Sequence, residues 1–154
     1  MKYFFNLTLI LALFSLISCK KEKDLSNEDY LLFGHFYGMC MGESCIEYYK
    51  LDAAHLYEDM NDNYNGAPFD FVELNANKFE LTKDLIDFFP SELLSEADGT
   101  MGCPDCADQG GILISYYFEG SLRTWRLDKD KNNVPSYLHS FMDKVDEKIT
   151  LINL

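Results

Sequence analysis

The apolar pattern near the C-terminal end constrains the fold more than any other stretch of the chain. Apolar side chains recur there at steps of three and four, the period of one helical face, at Leu138, Phe141, Met142, Val145, Ile149 and Ile152. The intervening residues 143, 144 and 146–148 are charged and would form the opposite face. Because Pro135 suits the first position of a helix, we predict a helix from there to residue 152 with its apolar stripe against a sheet.

Two stretches have the alternating pattern of β-hairpins. In the clearer one, residues 112–119 and 122–128 are the strands and residues 119–121 form the turn. One face of its first strand is marked by Ile112, Ile114, Tyr116 and Phe118. The other hairpin covers residues 45–59 and turns near Asp52. One face of its first strand carries Ile46, Tyr48 and Lys50.

The segments around these hairpins are less regular. Leucine and aromatic residues over 30–37 predict a first strand, with a bulge at Gly34. Residues 61–68 are rich in Asn, Asp, Gly and Pro, which predicts a loop, and residues 69–74 fit a short extended piece. A second loop is predicted over residues 98–111.

One short helix is predicted in the middle of the chain. Thr82 has the side chain of a helix N-cap, so we predict a helix over residues 83–89. Pro90 would break its hydrogen bonding, which predicts a kink or two short helices. Strand, hairpin, helix, hairpin and helix then follow in order. This order predicts one α+β domain over residues 30–154, with two layers: an antiparallel sheet and helices on one of its faces.

The N-terminal stretch has the features of an export signal. Lys2 is followed by a nearly unbroken apolar run over residues 3–17, too short for a spanning helix, which needs about 20 apolar residues. The end of the run, Leu16-Ile17-Ser18-Cys19, resembles the lipobox of bacterial lipoproteins. That resemblance implies a signal peptide over residues 1–18, a lipidated N-terminal Cys19 and a tether over residues 19–29. The alternative is an ordinary signal peptide with an incidental cysteine.

The charge balance excludes one class of partner. Removing residues 1–18 would leave 136 residues with 12 Lys and Arg against 26 Asp and Glu, a net charge of −14. So acidic a surface repels the phosphates of nucleic acids, so no nucleic-acid partner is expected. It would also be repelled by anionic headgroups. The expected contact with the membrane is therefore the N-terminal lipid.

Four further cysteines form two pairs, Cys40 with Cys45 and Cys103 with Cys106. In an exported chain an even number predicts disulfides, with three possible pairings. Alternatively, four thiolates from two loops could bind one tetrahedral zinc ion, or Cu(I) with the help of Met39, Met41 and Met101. Buried unpaired thiols are the third alternative. We expect disulfides, either within each loop or between loops, and otherwise no cofactor.

The spacing Cys103-Pro104-Asp105-Cys106 is also that of a redox motif. In thioredoxin-like proteins the first cysteine of such a motif lies at a helix N-terminus, which lowers its pKa. Here a strand is predicted to follow, so no helix would activate the thiol. Asp105 and Asp108 lie among glycines and could bind a hard cation, but their spacing lacks the alternating ligands of a calcium loop and favours turns.

The remaining candidate residues lie apart in the sequence. His35, His55 and His139 form no recognisable motif and are assigned no role. Arg123, Trp125 and Arg126 have the composition of an interaction surface. Since Trp125 shares a face with Arg123 in a strand, the alternative, which we favour, is that Trp125 belongs to the core and Arg123 lies at its edge.

Residues 40–48, Cys-Met-Gly-Glu-Ser-Cys-Ile-Glu-Tyr, resemble the Cys-aromatic-Gly-x-Cys-Pro-x-Tyr start of some uncharacterised small domains of bacterial lipoproteins. This chain has one more loop residue and Ile46 in place of the proline. The resemblance implies a hairpin-helix-hairpin-helix domain in the cell envelope and implies no activity.

The expected function follows from these observations. The sequence contains no Gly-x-Ser-x-Gly elbow, phosphate loop or dinucleotide fingerprint. We therefore expect a non-enzymatic, lipid-anchored binding protein of the bacterial envelope, at the outer membrane, with a protein partner or another ligand. The alternative is a metal-binding or thiol-redox envelope protein that uses its four paired cysteines.

Overall fold

The computed structural model describes residues 28–154. The predictions of a signal peptide, of lipidation at Cys19 and of most of the tether lie outside the described residues. Among the described residues, no helix is long and apolar enough to cross a membrane.

Seven strands form one open sheet in the described part of the chain. They are β1 (Tyr30–Phe36), β2 (Ile46–Leu51), β3 (Leu56–Asp59), β4 (Phe71–Glu73), β5 (Gly99–Met101), β6 (Gly111–Phe118) and β7 (Ser121–Asp128). Their order across the sheet is β4-β3-β2-β1-β6-β7-β5. Neighbouring strands are antiparallel except β5, which runs parallel to β7. The predicted α+β architecture is confirmed.

From residue 28 onward there are two α-helices, α1 (Ala76–Thr82) and α2 (His139–Ile152), which lie with short 3₁₀ segments on one face of the sheet. The prediction of a helix capped by Thr82 was wrong. Asn75 is the cap, since its side chain accepts a hydrogen bond from Lys78 N at 3.1 Å. Thr82 instead donates to the Lys78 carbonyl within α1, and Lys83–Phe88 is a 3₁₀ helix. Local propensity did not distinguish a cap from a hydroxyl that bonds back to its own helix.

The main core lies between the sheet and the helices. The strands contribute Leu31, Phe33, Tyr49, Leu51, Ile112, Ile114, Trp125 and Leu127. The helical layer contributes Leu85, Phe89, Leu93, Phe141, Met142, Val145 and Ile149. Each apolar residue of the predicted stripe is thus buried, including Leu138 and Ile152. The regular helix begins later than predicted, because residues after Pro135 form a 3₁₀ turn, Ser136–Leu138.

Lys148 differs from its predicted place on the solvent face of the last helix. It is only 4% exposed. Its Nζ donates to the Leu81 carbonyl at 2.8 Å and lies 2.6 Å from the Asp84 carboxylate. A long lysine side chain can cover apolar surface while its charged end reaches a partner, so α2 is joined by a salt bridge to the segment after α1.

The other face of the sheet carries a second, smaller core. It contains Leu32, Phe36, Tyr48 and Leu113, and Tyr64, Phe69 and Phe71 from the loop and strand after β3 pack against it. The predicted loop over residues 61–68 therefore covers part of this face. We call this side of the sheet the open face, because no α-helix of the described residues covers it.

The extended piece predicted over residues 69–74 contains β4, whereas two other predictions about strands change in the structure. The predicted loop over residues 98–111 contains β5. Gly34 is not a bulge, since it pairs in register with Tyr48 and Leu113. A Cβ at Gly34 would lie 1.9 Å from the Glu47 carbonyl oxygen, so close approach of β2 requires glycine.

A substitution at Phe141 tests the packing of α2 in the core between the sheet and the helices. Its ring has no exposed surface and meets the Phe89 ring edge-on at 5.6 Å between centroids. We expect Phe141→Ala to lower the free energy of unfolding by ~3–5 kcal/mol, as truncation of a buried aromatic does. The control is Phe88→Ala, because Phe88 is 41% exposed and its loss should cost within about 0.5 kcal/mol. Equal denaturation midpoints for the two variants would contradict the packing.

Candidate binding site

The four paired cysteines form two local disulfides. Cys40 is bonded to Cys45 and Cys103 to Cys106, with Cα–Cα distances of 5.6 and 5.5 Å. The first lies in the loop between β1 and β2, and the second in the loop between β5 and β6. Each bond closes a short ring within its own loop, so neither joins the two loops covalently.

Asp105 joins the two disulfide loops without a covalent bond. Its Oδ2 accepts hydrogen bonds from Gly38 N at 2.7 Å and from the Tyr64 hydroxyl at 3.0 Å. Its Oδ1 accepts from Gly110 N at 2.9 Å. Gly38 belongs to the loop of the first disulfide and Tyr64 to the loop after β3. Both disulfide loops therefore lie at one end of the sheet, as the metal hypothesis required.

A metal or redox role receives no support from the geometry at this end of the sheet. In the described residues, no group of three or more His, Cys, Asp or Glu side chains is arranged to hold a metal ion. The sulfurs are bonded in pairs and are not thiolate ligands. The loop of Cys103 continues through turns into β6, so this part of the described chain does not place a helix N-terminus after that cysteine. Asp105 and Asp108 have φ values of 64° and 58°, typical of turn residues.

Asp128 is a buried carboxylate that organises the same end of the sheet. It has no exposed surface. Its Oδ2 accepts hydrogen bonds from Cys103 N at 2.9 Å and from Asn133 Nδ2 at 2.8 Å. Its Oδ1 accepts hydrogen bonds from Asp130 N and from Gln109 Nε2. Burial alone would raise the pKa of Asp128, but these hydrogen bonds to the ionised form lower it to about 2. The carboxylate thus stays charged over the physiological range.

The proposed interaction surface of Arg123, Trp125 and Arg126 does not exist as one exposed face. Trp125 has no exposed surface, and its Nε1 donates to the Ala97 carbonyl at 3.1 Å. Arg123 lies on the same side, donates to the Leu94 carbonyl and pairs with Asp98. The structure thus agrees with the alternative in which Trp125 is core and Arg123 lies at its edge.

Arg126 lies on the open face, as strand alternation requires. Its guanidinium carbon is 3.7 Å from the centroid of the Phe36 ring, and Nη1 donates to the Tyr64 carbonyl at 3.1 Å. The three residues are therefore divided between the two faces of the sheet and do not form a single surface.

The three histidines do not come together in a site. His35 Nε2 lies 3.1 Å from the Ser44 carbonyl and 3.2 Å from the Glu47 carboxylate. Burial lowers the pKa of His35, against a smaller raising effect of the Ser44 hydrogen bond. His55 lies in the β2–β3 turn beside Asp52, and His139 begins α2. These positions are consistent with structural roles.

A cavity on the open face is the candidate binding site. It has a volume of about 180 Å³ and is lined by Tyr30, Leu32, Lys50, Phe69, Phe71, Ser115 and Leu122. Leu32 and Ser115 form its floor, since they are 3% and 6% exposed and pair directly across β1 and β6. Aromatic rings form its walls, stacked in the pairs Tyr30–Tyr117 and Phe69–Phe71. The cavity is thus mainly apolar, as ligand sites commonly are.

Lys50 gives the cavity its charge. Its Nζ lies 4.2 Å from the centroid of the Tyr57 ring, 5.1 Å from that of Phe71 and 5.9 Å from that of Tyr30. Within residues 28–154, every other lysine and arginine donates to a carboxylate or carbonyl oxygen, as the contacts of Lys78, Lys83, Arg123, Arg126, Lys129, Lys131, Lys144 and Lys148 show. The ammonium of Lys50 instead lies over aromatic rings and makes no hydrogen bond or ion pair within the described residues. Among the described lysines and arginines, Lys50 therefore stands out because its charged end has no oxygen partner.

A larger hollow at the disulfide end is a weaker candidate. It encloses about 450 Å³ and is lined by Tyr37, Gly38, Cys40, Gly42, Cys45, Ile46, Asp62 and Tyr64. Its polar aromatic groups already have partners, since the Tyr37 hydroxyl accepts from Lys129 and the Tyr64 hydroxyl donates to Asp105. A ligand there would have to compete with these bonds.

Sequence reasoning placed Lys50 on one strand face with Ile46 and Tyr48 but did not identify the cavity. The alternation of β2 was the available signal. The walls come from the irregular segment that contains Phe69 and Phe71, whose position over the sheet depends on the loop path. No local pattern reports which side of a sheet a loop will cover.

No protein-family model matches the chain, and no curated protein matches it. The interpretation of the site therefore depends on the chain's own residues. The resemblances of residues 16–19 and 40–48 stay predictions.

A substitution at Asp128 tests the hydrogen bonds that its carboxylate accepts at the disulfide end of the sheet. Its folded pKa of about 2 lies below the ordinary value of 3.8. Its stabilisation is therefore complete above about pH 4 and is lost as the pH falls towards 2. We expect Asp128→Asn to lower stability at neutral pH by ~1–3 kcal/mol, because an amide NH₂ would face buried donors. Between pH 4 and 2 the variant should lose less stability than the parent.

Urea denaturation at a series of pH values between 2 and 7 measures both effects. The matched control is Asp108→Asn, because Asp108 is exposed and asparagine tolerates its positive φ. If Asp128→Asn and the parent lost the same free energy between pH 4 and 2, the assigned pKa of Asp128 would be refuted.

Proposed function

We propose that this protein is a lipid-anchored, non-enzymatic binding protein of the bacterial envelope, attached to the outer membrane, whose ligand site is the cavity on the open face. The observation that carries the binding role is Lys50, a cation in the lining of an apolar cavity that lies over aromatic rings and has no oxygen partner within residues 28–154. A charge kept without a protein partner in a mainly apolar cavity is suited to an anionic ligand group.

The proposed anchor is supported by the lipobox-like residues 16–19. Two disulfides in so short a chain also favour an oxidising compartment, since such bonds persist in exported proteins. From Cys19 to the start of β1 at Tyr30, the extended chain would reach at most roughly 35–40 Å, at about 3.3–3.6 Å per residue. Such a tether would keep the domain close to the membrane surface.

The direction of β1 relates the cavity to the proposed anchor. The start of β1 lies beside the β6–β7 turn, where Tyr30 pairs with Tyr117 and Asp29 accepts a hydrogen bond from Glu119 N at 3.1 Å. Tyr30 and Leu122 line the cavity at this end of the sheet. Both disulfide loops lie at the other end of β1, where Phe36 pairs with Gly111. An anchored domain would thus carry its cavity on the tethered side, with the disulfides farther out.

A substitution at Cys19 tests the proposed N-terminal lipid anchor. We expect Cys19→Ala to abolish incorporation of labelled palmitate and to move the protein from the membrane fraction to the soluble envelope fraction, because the acyl chains supply the attachment. The matched control is Cys103→Ser, which removes a cysteine outside the lipobox and should keep both label and membrane fraction. Undiminished palmitate labelling of Cys19→Ala would refute the anchor.

The position of the binding site is tested separately. In a fragment screen by methyl NMR on the lipidated protein in detergent micelles, we expect hits to shift the Leu32 and Leu122 resonances, because both residues line the cavity. Leu154, which is 93% exposed and lies outside the cavity, supplies the control resonance. Hits that shift only resonances at the disulfide end would show that the site lies elsewhere.

A further inference from the structure

We propose that the open-face cavity binds a small monocarboxylic acid whose apolar part is a single ring. This inference rests on the binding function proposed above and names its ligand class, but it does not depend on the lipid anchor. Three features carry it: the ammonium of Lys50, which has no oxygen partner in the described part of the chain, the size of the cavity and the polarity of its lining.

The charge of Lys50 defines the sign of the ligand. An ammonium has three N–H donors and no acceptor, and the neighbouring rings offer it only their π faces. Those faces, from Tyr57, Phe71 and Tyr30, would otherwise form a cage for a ligand cation. Since the chain's own lysine occupies the cage, a second cation is repelled. A carboxylate would accept the hydrogen bonds that Lys50 makes to no protein group in the described chain.

The surroundings of Lys50 favour one negative charge over two. The chain carries 26 acidic residues, and two of their carboxylates, those of Asp52 and Glu73, lie near the Tyr57 ring. Burial is the main cause of the raised pKa of Tyr57, and these two carboxylates raise that pKa further. Neither carboxylate pairs with Lys50. Repulsion from these groups grows with ligand charge, so a monocarboxylate is favoured over a phosphate dianion.

The size of the cavity limits the apolar part of the ligand. Its volume is about 180 Å³, and a protein cavity of about 150 Å³ holds one benzene ring. The floor contributes Leu32, and the walls contribute Phe69, Phe71 and Leu122. Such a lining suits an apolar ring, because the hydroxyls of a sugar would lose their hydrogen bonds to water against it.

One hydroxyl pair gives the floor a second polar contact. Ser115 Oγ and Thr124 Oγ1 lie 2.9 Å apart and share one hydrogen bond, in which either is the donor. Whichever hydroxyl accepts that bond still has its own hydrogen to donate. Ser115 lines the cavity and lies in the same cross-strand row as Lys50, with Leu32 between them. When Thr124 donates to Ser115, the Ser115 hydroxyl can thus donate one hydrogen bond to a carboxylate oxygen or a ring substituent.

The proposal is tested with phenylacetate and its neutral analogue phenylacetamide, each titrated into the lipidated protein in micelles while methyl resonances are recorded. We expect saturable shifts at Leu32 and Leu122 with phenylacetate. Phenylacetamide should bind at least about tenfold more weakly, because its neutral carbonyl accepts from Lys50 without the charge that makes a carboxylate–ammonium hydrogen bond about twice as strong.

Variants at Lys50 provide the second arm. Lys50→Met keeps most of the side-chain length without the charge and should weaken phenylacetate binding at least about tenfold, whereas Lys50→Arg should restore it to within a few-fold. The matched control is Lys144→Met, since Lys144 also lies over a ring, that of Phe88, but has Glu147 as its partner at 2.7 Å. That control should bind phenylacetate like the parent.

Several results would overturn the proposal. Equal affinity for phenylacetate and phenylacetamide, or equal binding by the parent and Lys50→Met, would show that Lys50 does not select the ligand. No saturable shift up to ~10 mM phenylacetate, a concentration that saturates a millimolar site, would refute the ligand class. If other fragments still shifted Leu32 and Leu122, the proposed binding function would stand with a different ligand. If no fragment did, both proposals would fail.

Discussion

The burial of β1 on both of its sides is the constraint on which the rest of the structure depends. It is the central strand, between β2 and β6, and its residues alternate between the helical core, through Leu31 and Phe33, and the open-face core, through Leu32 and Phe36. A strand with two apolar faces requires cover on each side of the sheet. The helices supply one cover, while the segment after β3 supplies an incomplete one. The candidate cavity lies where that second cover ends.

The acidic composition has structural uses at the disulfide end. Asp105 and Asp128 together bind backbone N–H groups of three loops, and each accepts several hydrogen bonds. Because the disulfides are local, they cannot hold these loops to one another, and the carboxylates do so instead. Buried carboxylates are tolerated when hydrogen-bond donors surround them, which explains how Asp128 keeps its charge without exposed surface. The two ends of the sheet thus differ: hydrogen-bonded carboxylates order one end, while Lys50, which has no oxygen partner among residues 28–154, lies on the other half of the open face.

The same charge excess explains why Lys50 stands out. With twice as many acidic as basic residues, a lysine or arginine readily finds a carboxylate, and most of those described do. Lys50 lacks one because strand pairing places Leu32 and Tyr57 beside it, and aromatic rings surround its charged end. Its isolation is a property of the sheet register, and this property links the fold to the proposed ligand.

Sequence alone determined the layer architecture, because helical and strand periods are local and mark the buried face of each element. The stripe from Leu138 to Ile152 and the alternation over residues 112–128 therefore predicted α2, β6 and β7. The local patterns could not distinguish the helix cap at Asn75 from the hydroxyl of Thr82. Strand alternation places Trp125 and Arg126 on opposite faces of the sheet, but it does not show what covers each face. The local patterns also left the cysteine pairing open. Only the tertiary structure decided these features and the cavity around Lys50, since each depends on groups distant in the chain that meet through strand register and loop path.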